Sequence, residues 1–220
     1  NKEAWHWCLP FDRKTGLPTV DFGQGENYLT MTQNYILEKA KADPKFVVIT
    51  PAMPGSIGLM PEQREQLKDQ YVDTGISEEA AVSMADQISQ DVCINNNPVT
   101  MVMNFSSFDG LTDVTHLGIF GLSTFINIPN LVVLAPTCVE EYKTMQDWSV
   151  DQTDHPVLIL IPGNEPVHRD VDTTYEDLKY RIEQQGEKVA ILALGDFYQR
   201  GQELAQAIEE NFGFQPTLID

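Results

Sequence analysis

Two consecutive glutamates, Glu78 and Glu79, follow Thr74-Gly75-Ile76-Ser77 at what reads as a strand-to-helix junction. A carboxyl placed there can point along a pocket and, once partly desolvated, hydrogen-bond a ligand nitrogen. The plainer alternative makes Ser77 a helix N-cap, with both acids favouring the helix dipole. Consecutive helical residues point about 100° apart, so only one of the two can face a pocket. His116, in Thr115-His116-Leu117-Gly118, titrates near neutral pH and can donate to or accept from a substrate oxygen. Taken alone, it is better explained as a loop histidine satisfied by backbone carbonyls. His155, beside Pro156, and His168, in a polar stretch, read as surface residues, and Met53 and Met101 read as core rather than ligand contacts.

These residues need elements to position them, and apolar runs alternate with helical periods along the chain. Tyr28 to Ala42 places Tyr28, Met31, Tyr35, Ile36, Lys39 and Ala40 near one face before a break at Asp43-Pro44, as in an amphipathic helix ended ahead of proline. Strands are expected at Lys45–Thr50, Tyr71–Asp73, Val99–Asn104, Leu131–Ala135 and Pro156–Ile161, with helices starting at Ser77 and Val139. This alternation predicts an α/β fold: a parallel sheet sandwiched by helices. Residues 1 to 27 carry turn clusters and no sustained period, so they read as an extended segment or linker. Gly163 to Asp177 reads as a second linker. Beyond it, strand Lys188–Leu194, helix Phe197–Asn211 and strand Pro216–Ile219 start a second α/β unit with too few strands to close a core, so the chain reads as truncated at Asp220.

Ligands of open parallel sheets sit beyond the carboxyl ends of the strands. The segments there are Thr50 to Ser56, Thr74 to Glu79, Asn104 to Ser107 with Thr115 to Gly118, and Ala135 to Thr137. None has the glycine spacing of a phosphate loop, a dinucleotide fold or a serine-hydrolase elbow. Of 220 residues, 14 Lys+Arg against 33 Asp+Glu give a net charge of −19, which repels nucleic acid and anionic membrane alike. Cys8, Cys93 and Cys138 are odd in number and widely spaced, as suits reduced thiols and no metal framework. The apolar runs fall far short of the ~20 residues of a membrane helix. The start lacks both a leader and an initiator Met. Together these suggest a cytoplasmic protein that does not begin at its natural start.

Taken in order, Thr50-Pro51-Ala52-Met53, Tyr71 to Glu78, Asp91-Val92-Cys93-Ile94, Thr115-His116-Leu117-Gly118, Ile128 to Pro136 and Val189 to Gly195 resemble the 1-deoxy-D-xylulose-5-phosphate synthase family of transketolase-like, thiamine diphosphate-dependent transferases. The resemblance covers nearly the whole chain. It implies that residues 28–163 are a pyrimidine-binding domain, 164–175 a linker, 176–220 the start of a C-terminal domain, and 1–27 the end of a preceding diphosphate-binding domain that carries the Mg²⁺ and diphosphate ligands. On this resemblance Glu78 is the glutamate that hydrogen-bonds the cofactor's aminopyrimidine nitrogen, promoting the imino tautomer that deprotonates the thiazolium. Met53 and Ile76 hold the cofactor's bent shape, and His116 contacts substrate. The implied reaction decarboxylates pyruvate and passes the two-carbon unit to glyceraldehyde 3-phosphate. The product serves isoprenoid, thiamine and pyridoxal biosynthesis, and the enzyme is implied to be a homodimer.

The departures from the family pattern are also definite. Asn104-Phe105 stands where the family has aspartate and arginine, Thr112 where it has an acid, Ala80 where it has the histidine after the glutamate, and Ile159-Leu160-Ile161-Pro162-Gly163 where it has two arginines. Losing fork-shaped cations weakens the case for a phosphorylated acceptor. A divergent member kept for dimerisation or regulation is therefore the alternative. The family also has a strand and an aromatic-bearing turn where this sequence runs straight from Ala85 to Asp86. We read that junction as an interruption, which would hold the two Cα atoms much farther apart than ~3.8 Å. A single continuous helix would favour the non-catalytic alternative.

Overall fold

The computed structural model describes residues 12–15, 25–75, 86–103, 121–163, 165–173 and 180–220. Helix α1 (Tyr28–Ala42) starts at Asn27, whose side chain accepts from the Thr30 amide at 2.8 Å, and ends at Asp43 ahead of Pro44. Its buried residues Tyr28, Thr32, Ile36 and Ala40 recur every fourth position, the single apolar stripe of a helix lying on a core. Strand β1 (Val48–Thr50) follows, and then a 3₁₀ turn at Pro54–Ile57 leads into the short helix α2 (Pro61–Leu67). Seven residues give too few turns for a period to show, so α2 has no signal in the pattern beyond Pro61 at its start. Strand β2 (Tyr71–Asp73) pairs parallel with β1 in the register Val48–Tyr71, Ile49–Val72, Thr50–Asp73.

A second parallel sheet has β5 (Val157–Leu160) at its centre, between β3 (Thr100–Met103) and β4 (Val132–Leu134). All four β5 residues are buried, which is why this strand is an unbroken apolar run rather than an alternation. Helix α3 (Gly121–Phe125) precedes β4, and helix α4 (Val139–Asp151) packs over the sheet. Tyr28, Leu134, Val139, Tyr142, Met145, Val157, Ile159 and Ile161 form the main core. Tyr28 and Tyr142 meet edge to face at 5.2 Å. The Tyr142 hydroxyl donates to Thr32 Oγ1 at 2.5 Å, Thr32 donates onward to the Tyr28 carbonyl at 2.7 Å, and Gln146 Nε2 donates to the tyrosine oxygen at 3.2 Å. Every polar atom of this buried chain is therefore satisfied. Burial also pushes the Tyr142 phenol up to about 12. Cys93 and Cys138 are free, buried thiols.

The third sheet has the order β6 (Ile182–Gln184), β8 (Thr217–Ile219), β7 (Ala190–Leu192), covered by α5 (Tyr198–Phe212). Helix α5 lies close to the sheet because Gly201 has no side chain: a Cβ there would sit 2.6 Å from that of Ala193. Strand β7 runs parallel to β8, whereas β6 is antiparallel, so this unit is mixed. Residues 182–184 pair with β8 next to Arg181 and Asp220, which exchange both backbone hydrogen bonds at 2.8 Å. Among the described residues the molecule is thus an open α/β structure of two parallel sheets and one mixed sheet flanked by helices, the α/β class that the alternation predicts, divided among several sheets rather than one. Its sheets are not covered everywhere: Ile49 on β1 is 64% exposed and Leu192 on β7 is 79% exposed. The Ala85–Asp86 junction lies outside the described residues. Beyond it, a helical turn at Asp86 continues as π-type helix from Ile88 to Cys93.

A partly buried ion network ties α4 to the third sheet. Arg181 bonds Glu141, Glu183 at 2.5 Å and Asp220 at 3.0 Å, while Arg169 bonds Glu183 at 3.1 Å and stacks 3.8 Å over the Tyr198 ring. Burial, reinforced by Glu141, raises the Asp220 carboxyl to about 6. Glu141 is 3% exposed, so removing its cation strands a buried charge. Arg181→Met is expected to cost about 3 kcal/mol in urea unfolding, and Arg181→Met with Glu141→Gln to recover much of that. A loss below ~1 kcal/mol in the single variant would show that the network is solvated.

Candidate functional site

The carboxyl ends of β1 and β2 lie side by side, and the site is built from the loops that leave them. Thr50 and Asp73 are in register, and the Thr74 amide donates to the Thr50 carbonyl at 3.0 Å. Pro51 and Ala52 then lead away from β1. Ala52 takes φ +57°, a left-handed conformation uncommon for a residue with a Cβ. Met53 comes next, 62% exposed, with its carbonyl accepting from the Ser56 amide at 3.0 Å and the Ser56 hydroxyl at 2.7 Å. Sequence alone favoured a core role for Met53; the structure leaves it exposed in the loop after β1 instead.

On the β2 side, Asp73 Oδ1 accepts from the Ala52 amide at 3.0 Å and the Gly75 amide at 2.9 Å, and Gly75 takes φ +77°. The bonds from Gly75, Ala52 and the Tyr71 hydroxyl hold the Asp73 carboxyl below its usual range. The structure therefore brings Met53 beside the segment that continues into Ile76 and Glu78. Ile76, Glu78 and His116 themselves lie outside the described residues, as do Ala80, Asn104, Phe105 and Thr112. Asp73 was not singled out in the sequence. Its neighbours are 21 residues away in one direction and two in the other, and only the two-residue Asx spacing was visible.

A separate cavity of about 180 Å³ opens where the loop after β4, the segment after β5 and the start of α5 meet, lined by Tyr28, Thr137, Arg169, Asp196 and Tyr198 among others. None of its lining residues belongs to the loops after β1 or β2. Arg169 is the cation in its wall, and that guanidinium is already engaged with Glu183, Asp220 and Thr137. At the rim of this region His168 does more than a lone surface residue: Nδ1 lies 2.7 Å from Glu140 and Nε2 2.6 Å from Glu26, joining the segment before α1 to the start of α4.

Among the described residues, no helix is long and apolar enough to cross a membrane, and no cluster of three or more His, Cys, Asp or Glu could hold a metal ion.

The His168 bridge predicts a pH dependence. Glu140 first and Glu26 second raise the His168 pKa above its ordinary 6.5, so its contribution to stability is complete below that value and fades as pH rises through the higher folded value. Although burial opposes it, bonds from the Arg169 amide and His168 lower Glu140 to about 2; its contribution is present above the ordinary 4.5 and fades as pH falls toward 2. The Tm deficit of His168→Ala should accordingly be largest near pH 5.5 and shrink by about pH 9. A deficit that grows between those values would refute the bridge.

No protein-family model matches the chain. In sequence it is 32% identical, over 249 aligned positions, to 1-deoxy-D-xylulose-5-phosphate synthase of Clostridium perfringens strain SM101, with 100% of this chain and 39% of the relative covered. It is also 32% identical to the enzyme of the same name from Cytophaga hutchinsonii, covering 87% of this chain and 35% of the relative. The chain spans about two fifths of the length of the curated relatives it matches. Because 249 aligned positions hold only 220 residues of this chain, at least the difference, 29 positions, has no counterpart here. In structure it matches a split-gene transketolase described as an inactive β4 tetramer, with TM-score 0.66, 17% identity, 89% of this chain and 72% of that one covered. It also matches a transketolase variant from Pichia stipitis, with TM-score 0.69, 15% identity, 96% of this chain and 37% of that one covered. Over its whole length the chain is similar in sequence to the 1-deoxy-D-xylulose-5-phosphate synthases, and its fold is that of the transketolases.

Proposed function

We propose that this chain forms the pyrimidine-binding domain (28–163), linker (164–175) and start of the C-terminal domain (176–220) of a thiamine diphosphate-dependent transferase that makes 1-deoxy-D-xylulose 5-phosphate from pyruvate and glyceraldehyde 3-phosphate. Residues 1–27 are then the end of the diphosphate-binding domain, and the enzyme is a cytoplasmic homodimer. The observation that carries this reading is the full-length similarity to synthases of that name. The juxtaposed loops after β1 and β2 support it, since they present the Met53 side chain to solvent next to the chain that enters Ile76 and Glu78.

The described residues fit the aminopyrimidine end of thiamine diphosphate: an exposed apolar Met53 at the strand mouth suits a flat, partly apolar ring. The Mg²⁺ and diphosphate are assigned to the diphosphate-binding domain. When bound, the cofactor would supply a cationic electron sink that stabilises the negative charge left on the two-carbon unit when pyruvate loses CO₂. Glu78 holds a proton against the pyrimidine nitrogen, Met53 and Ile76 fix the ring's orientation, and His116 moves or shares a proton at the substrate oxygen.

The test is thiamine diphosphate binding with and without Mg²⁺ by the full natural polypeptide, followed by pyruvate decarboxylation with glyceraldehyde 3-phosphate as acceptor. Glu78→Ala is expected to lower turnover about 10²–10⁴-fold with an unchanged unfolding midpoint, and Glu79→Ala to leave turnover near wild type. Undiminished turnover in Glu78→Ala would exclude the mechanism, and failure of the wild type to bind the cofactor would leave the fold without this catalysis.

A further inference from the structure

We propose that Asp73 is the positioning residue of this site: its carboxylate clamps the loop carrying Met53 to the turn that feeds Glu78, and thereby sets the spacing of the two sides that grip the cofactor ring. This inference rests on the function proposed above. The geometry that carries it is a single oxygen, Oδ1, serving two loops at once, the Ala52 amide at 3.0 Å and the Gly75 amide at 2.9 Å. A purely local turn at the end of β2 would need only the second of these bonds. The first reaches across to a residue in the left-handed region, Ala52 at φ +57°, a conformation that surrounding contacts must hold.

Further contacts fix the carboxylate itself. The Tyr71 hydroxyl lies 3.3 Å from Oδ2 and 2.9 Å from Thr50 Oγ1, linking the last residue of β2 to the last residue of β1. Arg64, whose guanidinium lies 6.0 Å from the Tyr71 ring, is the cation facing Asp73 from α2. Asp73 is exposed, so it contributes little to the core, and a residue with that combination of many directed bonds and little burial orders local geometry rather than holding the fold together. Its two clients stand one residue before Met53 and three before Glu78. Displacement of a gripping group by about 1 Å is enough to cost about 100-fold in rate.

The experiment compares wild type, Asp73→Asn and Asp73→Ala. In the 220-residue chain, the Ala52 and Gly75 amide proton shifts are followed by NMR as a function of pH. In wild type both should move with one shared midpoint below the ordinary aspartate range, and in Asp73→Asn neither should move, because the amide oxygen keeps both bonds without titrating. In the full natural polypeptide, half-saturation by thiamine diphosphate with Mg²⁺ should rise about tenfold in Asp73→Ala and stay within about threefold of wild type in Asp73→Asn, as the loss and retention of two oriented hydrogen bonds predict. Separate midpoints for the two amides would overturn the clamp. Unchanged half-saturation in Asp73→Ala, or equal loss in both variants, would overturn the positioning role while leaving the proposed function intact. Absence of cofactor binding in wild type would overturn the proposed function and, with it, the positioning role. Should Asp73→Ala fail to fold, Asp73→Glu takes its place: it keeps the charge but moves the oxygen off both amides, so half-saturation should again rise about tenfold, and an unchanged value would overturn the positioning role.

Discussion

Parallel pairing is the constraint on which this structure depends. Strand β5 pairs in register with β3 on one side and β4 on the other, every residue of it buried, and β1 pairs with β2 in the same sense. Parallel strands require a crossover connection between each pair and need their faces covered. That is why helices alternate with strands along the chain and why α1 and α4 share one core with β4 and β5. The same pairing brings the carboxyl ends of neighbouring strands to one edge. The loops that leave those ends are spared ladder bonding and are free to carry chemistry, which is where Met53 and Asp73 stand.

Much of this fold was legible in the sequence because each element carries a strong local signal. Tyr28 to Ala42 has a helical stripe with a proline behind it, and the observed helix spans those residues. Tyr71–Asp73 was located as a strand with the bounds observed, and Val157 to Leu160 stands out as an apolar run. What escaped were features set by distant partners. The orientation of β6 follows from Arg181 and Asp220 meeting across 39 residues, and no periodicity encodes strand direction. Helix α2 is two turns long, too short to show a stripe.

The candidate site offers weaker signals. Glu78 and His116, the residues that could do chemistry, carry no periodicity of their own, and each admits an ordinary structural explanation; the roles proposed for them rest on the order of the motifs around them, and both residues lie outside the described ones. The geometry adds what motif order cannot. It moves Met53 from the core to the mouth of the sheet, and it reveals the bonds by which Asp73 spans two loops. Those bonds depend on Thr50 and Asp73 lying in register, a tertiary fact absent from any window of sequence.

The placement of the arginines bears on the phosphorylated acceptor of the proposed reaction. In a chain of net charge −19, cations are scarce, and a phosphate clamp needs guanidinium donors free to turn toward a ligand. Among the described residues near the carboxyl ends of β4 and β5, the arginine lining the cavity is Arg169, and it is bonded to Glu183, Asp220 and Thr137 and stacked on Tyr198. Arg181, next to it in the network, is committed to Glu141, Glu183 and Asp220. Three carboxylates already exceed two guanidiniums there, so turning either arginine toward a phosphate would leave more buried negative charge uncompensated, at a cost of several kcal/mol. These arginines are therefore structural in this arrangement. The absence of arginine from Ile159 to Gly163 is not made good by Arg169 or Arg181, and recognition of a phosphorylated acceptor would fall to other groups.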